Sequence, residues 1–220
     1  MAARLAFHPL SPDRLADLAA LFGPRGACAG CWCRWWKATR REFDAGRGEL
    51  NRAALEREVR SGVVPGLLAY RGAEPVGWCA VEPRSAYPRL ALSRSLAPVD
   101  LEPVWSVTCF FVARSQRRRG VARALLRAAA AHARRSGARV LEGYPVDPRG
   151  ATADAWLYTG LLSTFAREGF EEVARRSRTR PVVRKALRPT RKAPRARGRA
   201  PRRSTAGSPP RRRTASRRGR

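Results

Sequence analysis

Six consecutive residues, Arg117, Arg118, Arg119, Gly120, Val121 and Ala122, have the makings of an anion cradle, because an apolar run precedes them and a helical pattern follows. A strand that ends in a glycine-containing turn and opens a helix aims several unpaired backbone N–H groups, and the positive end of the helix dipole, at one spot. That spot suits a phosphate. Gly120 lets the backbone approach an anion with no side chain in the way, and the small Ala122 permits close packing of the first helical turn. The same pattern, Q/R-x-x-G-x-G/A, recurs at Arg195, Ala196, Arg197, Gly198, Arg199 and Ala200, but no apolar strand leads into that copy and no helical period leaves it. Context singles out the first copy.

A second stretch is rich in reactive side chains: Cys28, Cys31 and Cys33 lie beside Trp32, Trp35 and Trp36. The spacing C-x2-C-x-C offers three thiolates, yet no second cysteine pair or nearby histidine completes a tetrahedral zinc set, so no metal is expected. The alternative is an aromatic wall packed across a sheet, with the thiols acting as small hydrophobes. Cys109 lacks the histidine partner that a covalent nucleophile needs. Glu82, at the end of a strand, is a minor candidate base, and His8 beside Pro9 reads as packing.

These groups need a framework, and the apolar periods supply one. Val104, Val107, Cys109, Phe110, Phe111 and Val112 form a run suited to a strand buried on both faces. Val121, Leu125, Ala129 and His132 then recur at helical spacing, with Arg123, Arg127, Arg134 and Arg135 on the outer face. Residues 4–9 read as a first strand, 15–22 as a helix stopped by Gly23 and Pro24, and 49–61 as a second helix. Residues 65–70 and 75–81 form a hairpin, and 85–100 a loop. After the central helix, 139–144 is a strand parallel to the central one, since a helix intervenes. A loop over 145–155, a helix near 157–168, and a strand pair over 171–177 and 180–187 complete the pattern.

The strand, arginine-rich turn and helix around Gly120 resemble motif A of the GNAT N-acetyltransferase superfamily, which holds the pyrophosphate of acetyl-CoA. The element order over residues 4–187, with a helix ending at Gly169 and Phe170, resembles that superfamily too, and some bacterial members have a comparable C-W-C aromatic cluster. The resemblance implies an α/β fold (α+β, mixed sheet), a central mixed β-sheet flanked by helices. It implies an enzyme that moves the acetyl group of acetyl-CoA, its co-substrate, to an amine by direct attack; small amines, antibiotics, peptide N-termini and protein lysines all remain possible acceptors. It further implies that Phe111, Val112 and Ala113 pair with the pantetheine arm and that a backbone N–H near Phe111 stabilises the oxyanion. Arg117, Arg118, Arg119, Gly120, Val121 and Ala122 would hold the pyrophosphate, and Trp32, Trp35 and Trp36 would line the acceptor pocket.

One position departs from the superfamily. Members commonly carry a tyrosine four residues before the Gly-Phe pair, as the acid that protonates the leaving thiolate, and this chain has Phe165 there. Tyr158, Ser163, Tyr144 or water would have to replace it, with Tyr158 the candidate named here. Glu142, on the parallel strand, is the preferred base for the acceptor ammonium, the alternative being an ion pair with one of the many arginines.

The 220 residues carry 46 Lys or Arg against 17 Asp or Glu, a net charge of +29. No acid follows Glu172, and the stretch from Arg188 to Arg220 holds fourteen basic residues. Its Pro, Gly, Ser and Arg composition cannot build a core, so the expected organisation is one domain over 1–187 and a disordered basic tail over 188–220. Such a tail suits weak, salt-sensitive binding to nucleic acid or another polyanion, although 43 of the 46 basic residues are Arg, as a GC-rich coding bias would also produce. No apolar stretch suits a signal peptide or a bilayer span, and five cysteines without a secretion signal argue against a disulfide framework; a soluble, cytoplasmic protein is expected. Two rivals to the enzyme stand: a polyanion-binding protein on the same scaffold, and a non-catalytic sensor of acetyl-CoA.

Overall fold

Alternating apolar residues build the sheet, and the computed structural model describes residues 4–150 and 156–187. The hairpin forms as β2 (Gly66–Arg71) and β3 (Glu74–Pro83), with β1 (Leu5–Pro9) antiparallel to β2. The central strand β4 (Trp105–Val112) lies antiparallel to β3, and β5 (Val140–Gly143) is parallel to β4 as the intervening helix requires. The last strand, β7 (Val182–Ala186), inserts between β5 and β6 (Glu171–Ala174). The sheet order is β1-β2-β3-β4-β5-β7-β6, mixed through the single parallel pair.

Side chains alternate between two packed faces. On one face α5 (Val121–Arg135) lays Leu125, Leu126, Ala129 and Ala133 over Leu67, Cys79, Val81, Val107 and Leu141. On the other, Leu18 and Phe22 of α1 (Leu15–Phe22) and Leu55 and Val59 of α3 (Glu49–Arg60) cover Leu68, Tyr70, Trp78 and Ala80. Leu125 and Leu126 are fully buried, each contributing roughly 1.5–3 kcal/mol of apolar transfer. A third cluster joins Trp36, Tyr87, Leu90, Leu96, Tyr144 and Val182.

Several local expectations change. A short helix, α2 (Arg40–Ala45), starts at Thr39, whose side chain and that of Glu42 form a reciprocal capping box. Residues 85–100 are not a plain loop; 3-10 turns at Arg84–Ala86 and Arg94–Leu96 flank α4 (Pro88–Ala91), with proline at its first position. The helix expected near 157–168 contracts to α6 (Leu162–Ala166), because Gly160 has φ +89° and Leu161 is extended, bridged to Val146. Cys109, Phe111 and Val112 are half-exposed, so β4 is not buried on both faces along its whole length. The expected tail over 188–220, the second copy of the Gly pattern, and residues 151–155 lie outside the described residues. Among the described residues no helix is long and apolar enough to cross a membrane.

Candidate active site

Two strands that run together and then separate create the site. β4 and β5 pair only over Trp105–Val107 and Leu141–Gly143. Beyond Val107 the far edge of β4 is free of β5. A bulge sits at the point of separation: Ala80 faces Cys109 and Val81 faces Val107, leaving Thr108 unmatched.

Backbone directions along this edge follow from three hydrogen bonds. The Phe110 N–H donates to the Tyr158 carbonyl at 2.6 Å, the Ala113 N–H donates to the Val76 carbonyl at 3.0 Å, and the Val112 carbonyl accepts from Arg117 Nε at 3.3 Å. Because amides alternate along a strand, Phe110 and Val112 address the free edge while Phe111 and Ala113 address β3. Of Phe111, Val112 and Ala113, it is Val112 whose N–H lies on the open side.

The turn expected to cradle an anion stands at the end of that edge. A 3-10 turn at Arg114–Gln116 leads to Arg117, and Gly120, at φ +77°, caps α5. The Ala124 N–H to Gly120 carbonyl bond at 3.0 Å closes the first helical turn, so the N–H groups of Val121, Ala122 and Arg123 precede the helical ladder. A Cβ on Gly120 would meet nothing within 4 Å; glycine is needed there for its backbone angle, and the space in front is open. Arg117, Arg118 and Arg119 are exposed around it. The cradle is held in place from below: a Cβ on Gly77 of β3 would lie 2.9 Å from Val121 Cγ1 and 3.0 Å from Leu125 Cδ1, so helix and strand meet without a side chain between them.

Tyr158 is tied to this edge through its carbonyl, and burial pushes its hydroxyl up to about 12 against the opposing pull of Arg180. At neutral pH the group keeps its proton. Phe165, by contrast, is fully buried against Phe110 (ring centroids 6.1 Å apart) and Phe170 (5.0 Å).

The three tryptophans separate. Trp32 is buried 5.6 Å from the Phe22 ring and belongs to the core over β2 and β3. Trp36 is buried with Tyr87 and Leu90. Trp35 stays half-exposed, with the Arg89 guanidinium 3.6 Å from its ring centroid and Phe43 edge-on at 5.0 Å. The thiols pack as well. Trp78 Nε1–H donates to Cys33 Sγ at 3.0 Å, and Cys33 lies 3.6 Å from Cys109 Sγ. Burial pushes the Cys31 thiol up to about 11, and the Cys109 contact followed by burial pushes Cys33 well above its usual range, so both stay protonated at neutral pH.

Glu142 is buried opposite Ser106, in an ion-pair hub. Its Oε1 lies 2.6 Å from Arg84 and accepts from the Tyr144 hydroxyl at 2.6 Å, while Oε2 lies 2.7 Å from Arg184. Both oxygens are engaged, an arrangement that suits holding β5, β7 and the segment after β3 together. Glu82 falls inside β3 and pairs with Lys37, which also pairs with Glu58; burial raises the Glu82 carboxyl pKa against the pull of Lys37.

Two residues that the sequence did not point to stand near the open edge. Arg89 stacks on Trp35, and Arg180 lies 5.8 Å from the Tyr158 ring centroid with its Nη1 donating to Thr159 Oγ1 at 3.2 Å. They come from segments ninety residues apart in a chain crowded with arginine, and no local pattern marks them.

The model of the Acetyltransferase (GNAT) family matches residues 32–150, just over half of the chain. No curated protein matches it in sequence. Among solved structures, a GNAT-family acetyltransferase from Listeria monocytogenes matches with a TM-score of 0.52 at 11% identity, over 85% of this chain and 98% of its own. One from Streptococcus pneumoniae gives 0.51 at 14% identity, over 84% and 99%. These two share the fold described above. The PaiA N-acetyltransferase from Thermoplasma acidophilum, solved in complex with coenzyme A, gives 0.49 at 12% identity, over 83% and 99%.

Proposed function

Because the chain belongs to the GNAT acetyltransferase family, we propose that it transfers the acetyl group of acetyl-CoA to an amine. The observation that carries this reading is the left-handed Gly120, with open space before it, set between the free edge of β4 and the first turn of α5. Acetyl-CoA supplies the acetyl thioester. The amides at the start of α5, helped by Arg117, Arg118 and Arg119, hold its pyrophosphate, and the open-side N–H of Val112 pairs with the pantetheine arm. The neutral amine, its ammonium proton already given to water, forms the C–N bond as the C–S bond breaks, and the proton that nitrogen then sheds replaces the one the departing sulfur takes from its donor. Tyr158, protonated and tied to β4, is the donor for that sulfur. Glu142 keeps the strands beneath the site in register.

The test uses the full-length protein and two variants, Gly120→Asn and Gly120→Asp. Both side chains tolerate positive φ better than most and have nearly the same shape, so they differ mainly in charge. Calorimetric titration is expected to show micromolar acetyl-CoA binding to wild type, somewhat weaker binding to Gly120→Asn, and a loss of tenfold or more beyond that in Gly120→Asp. A folded wild type that does not bind, or an Asp variant as tight as the Asn variant, would overturn the reading. Binding with no turnover of any amine would instead favour a non-catalytic sensor.

A further inference from the structure

Most half-buried arginines among the described residues are neutralised by carboxylates: Arg14 by Asp13, Arg34 by Glu58, Arg52 by Glu56, Arg84 by Glu142, and Arg184 by Glu142 and Asp100. Arg89 and Arg180 differ. Both are half-buried, and among the described residues neither is paired with a carboxylate. Each instead rests against an aromatic ring, Arg89 on Trp35 and Arg180 near Tyr158. Both rings pack on one cluster, with Trp36, Tyr87, Leu90, Tyr144 and Val182. The two guanidiniums are therefore drawn to one neighbourhood, and Tyr158 ties it to β4 through the Phe110 N–H. Arg40 also lies over Trp35, at 5.8 Å, but Asp44 neutralises it.

Withdrawing a cation from water without a counter-charge is costly, and bringing a second one to the same place adds repulsion. Burial, and after it the neighbouring Arg40, lowers the pKa of Arg89. Stacking on Trp35 holds the Arg89 guanidinium without using its N–H groups, and Arg180 stands 5.8 Å from the Tyr158 ring centroid. Of the five N–H bonds on each, one on Arg89 goes to the Trp35 carbonyl at 3.4 Å and one on Arg180 to Thr159. Among the described residues the others have no partner, and they present to a ligand the fork geometry that matches a carboxylate or phosphate.

We propose that the acceptor amine carries an anionic group, a carboxylate or a phosphate, which Arg89 and Arg180 receive together beside the open edge of β4. This rests on the acetyl-transfer reading above. The anion then orients the acceptor, so that its amine meets the thioester from the side of the sheet where Trp35 and Tyr158 stand. Polyamines and other purely cationic acceptors are disfavoured by the same two charges.

The test measures thiol release from acetyl-CoA by the full-length protein, with matched acceptors. The common α-amino acids and β-alanine are compared with their amides, and O-phosphoethanolamine with ethanolamine, so that the arms separate carboxylate from phosphate. The expected result is at least one anion-bearing acceptor preferred tenfold or more in kcat/KM over its partner lacking the anion. Arg89→Met and Arg180→Met should each cut that preference fivefold or more, through KM, with Arg→Lys at each position recovering part of it. Acetyl-CoA affinity, measured in parallel, reports that the variants are folded. The proposal is overturned if amines lacking the anion, polycationic ones included, are equal or better acceptors, if the preference survives both Met variants, or if wild type binds acetyl-CoA yet accepts no anion-bearing amine. Failure of wild type to bind acetyl-CoA is a different result and removes the acetyl-transfer reading itself.

Discussion

Gly143 and Phe165 fill complementary space: a Cβ built on Gly143 would collide with Phe165 Cε1, and Phe165 itself has no exposed surface. The aromatic ring sits over the bare backbone of β5 where β4 begins to leave it. Gly143→Ala is expected to cost about 1–3 kcal/mol through overpacking. Adding Phe165→Leu should return part of that loss, which a double-mutant cycle of urea midpoints would read as a coupling between neighbours. Additive losses would show that the ring moves aside freely.

Tyr158→Phe removes the only hydroxyl proposed to serve the leaving sulfur. A fall in kcat on the order of 10²-fold is expected, with little change in acetyl-CoA affinity. Because the hydroxyl is pushed up to about 12, wild type should not lose rate from this group as the pH passes 10, where an ordinary tyrosine ionises. A kcat profile from pH 7 to 10.5 checks both statements, and an unchanged kcat in the variant would assign the proton to water.

Glu142→Gln should harm stability more than chemistry. Its side chain is almost wholly buried between Arg84 and Arg184, and breaking such a buried pair costs about 3–5 kcal/mol because a partner charge is left behind. Denaturant unfolding measures the loss. The folded fraction should keep kcat within about threefold, a change small beside the losses typical of a deleted general base. A kcat drop a hundred times larger, with stability intact, would instead restore Glu142 as the base.

His132 predicts a pH dependence. It lies half-buried in the last turn of α5, edge-on to Trp105 at 5.7 Å, and burial, then Arg135, lower its pKa. The unfolded state therefore takes up its proton first as pH falls, so the neutral ring's stabilisation is complete above the usual value near 6.5 and is lost below it. Wild type should lose more stability between pH 7 and 5.5 than His132→Gln, as read from urea midpoints at the two pH values. Equal losses would place the titration elsewhere.

The central unit was legible in the sequence because two strong periods meet at a glycine: the apolar run of β4, the repeat of Val121, Leu125 and Ala129, and Gly120 between them. The parallel placement of β5 followed from the helix between the strands. Other features were written but weak. Thr39 and Glu42 carry the capping-box spacing, yet they open only six residues of helix. Gly160 interrupts what reads as a continuous helix after 157, and only its positive φ shows that the interruption wins. Which of the β4 amides face outward depends on the pairing with β3, which no single-strand pattern encodes. That Arg89 of α4 and Arg180 of the turn before β7 rest against rings of one aromatic cluster is purely tertiary.

The position of β7 governs the order in which the molecule can be made. It is the last strand in sequence but an interior strand of the sheet, and it brings Arg184 to Glu142. As the chain grows from its N-terminus, β5 emerges with one open edge and with Glu142 lacking one of its two cations until more than forty further residues have been added. β1 to β4 can assemble meanwhile, since their pairings are between neighbours in sequence. The half of the sheet beside the splay waits for the end of the chain, and a nascent protein halted before β7 would present a bare strand edge and a buried-type carboxylate to solvent.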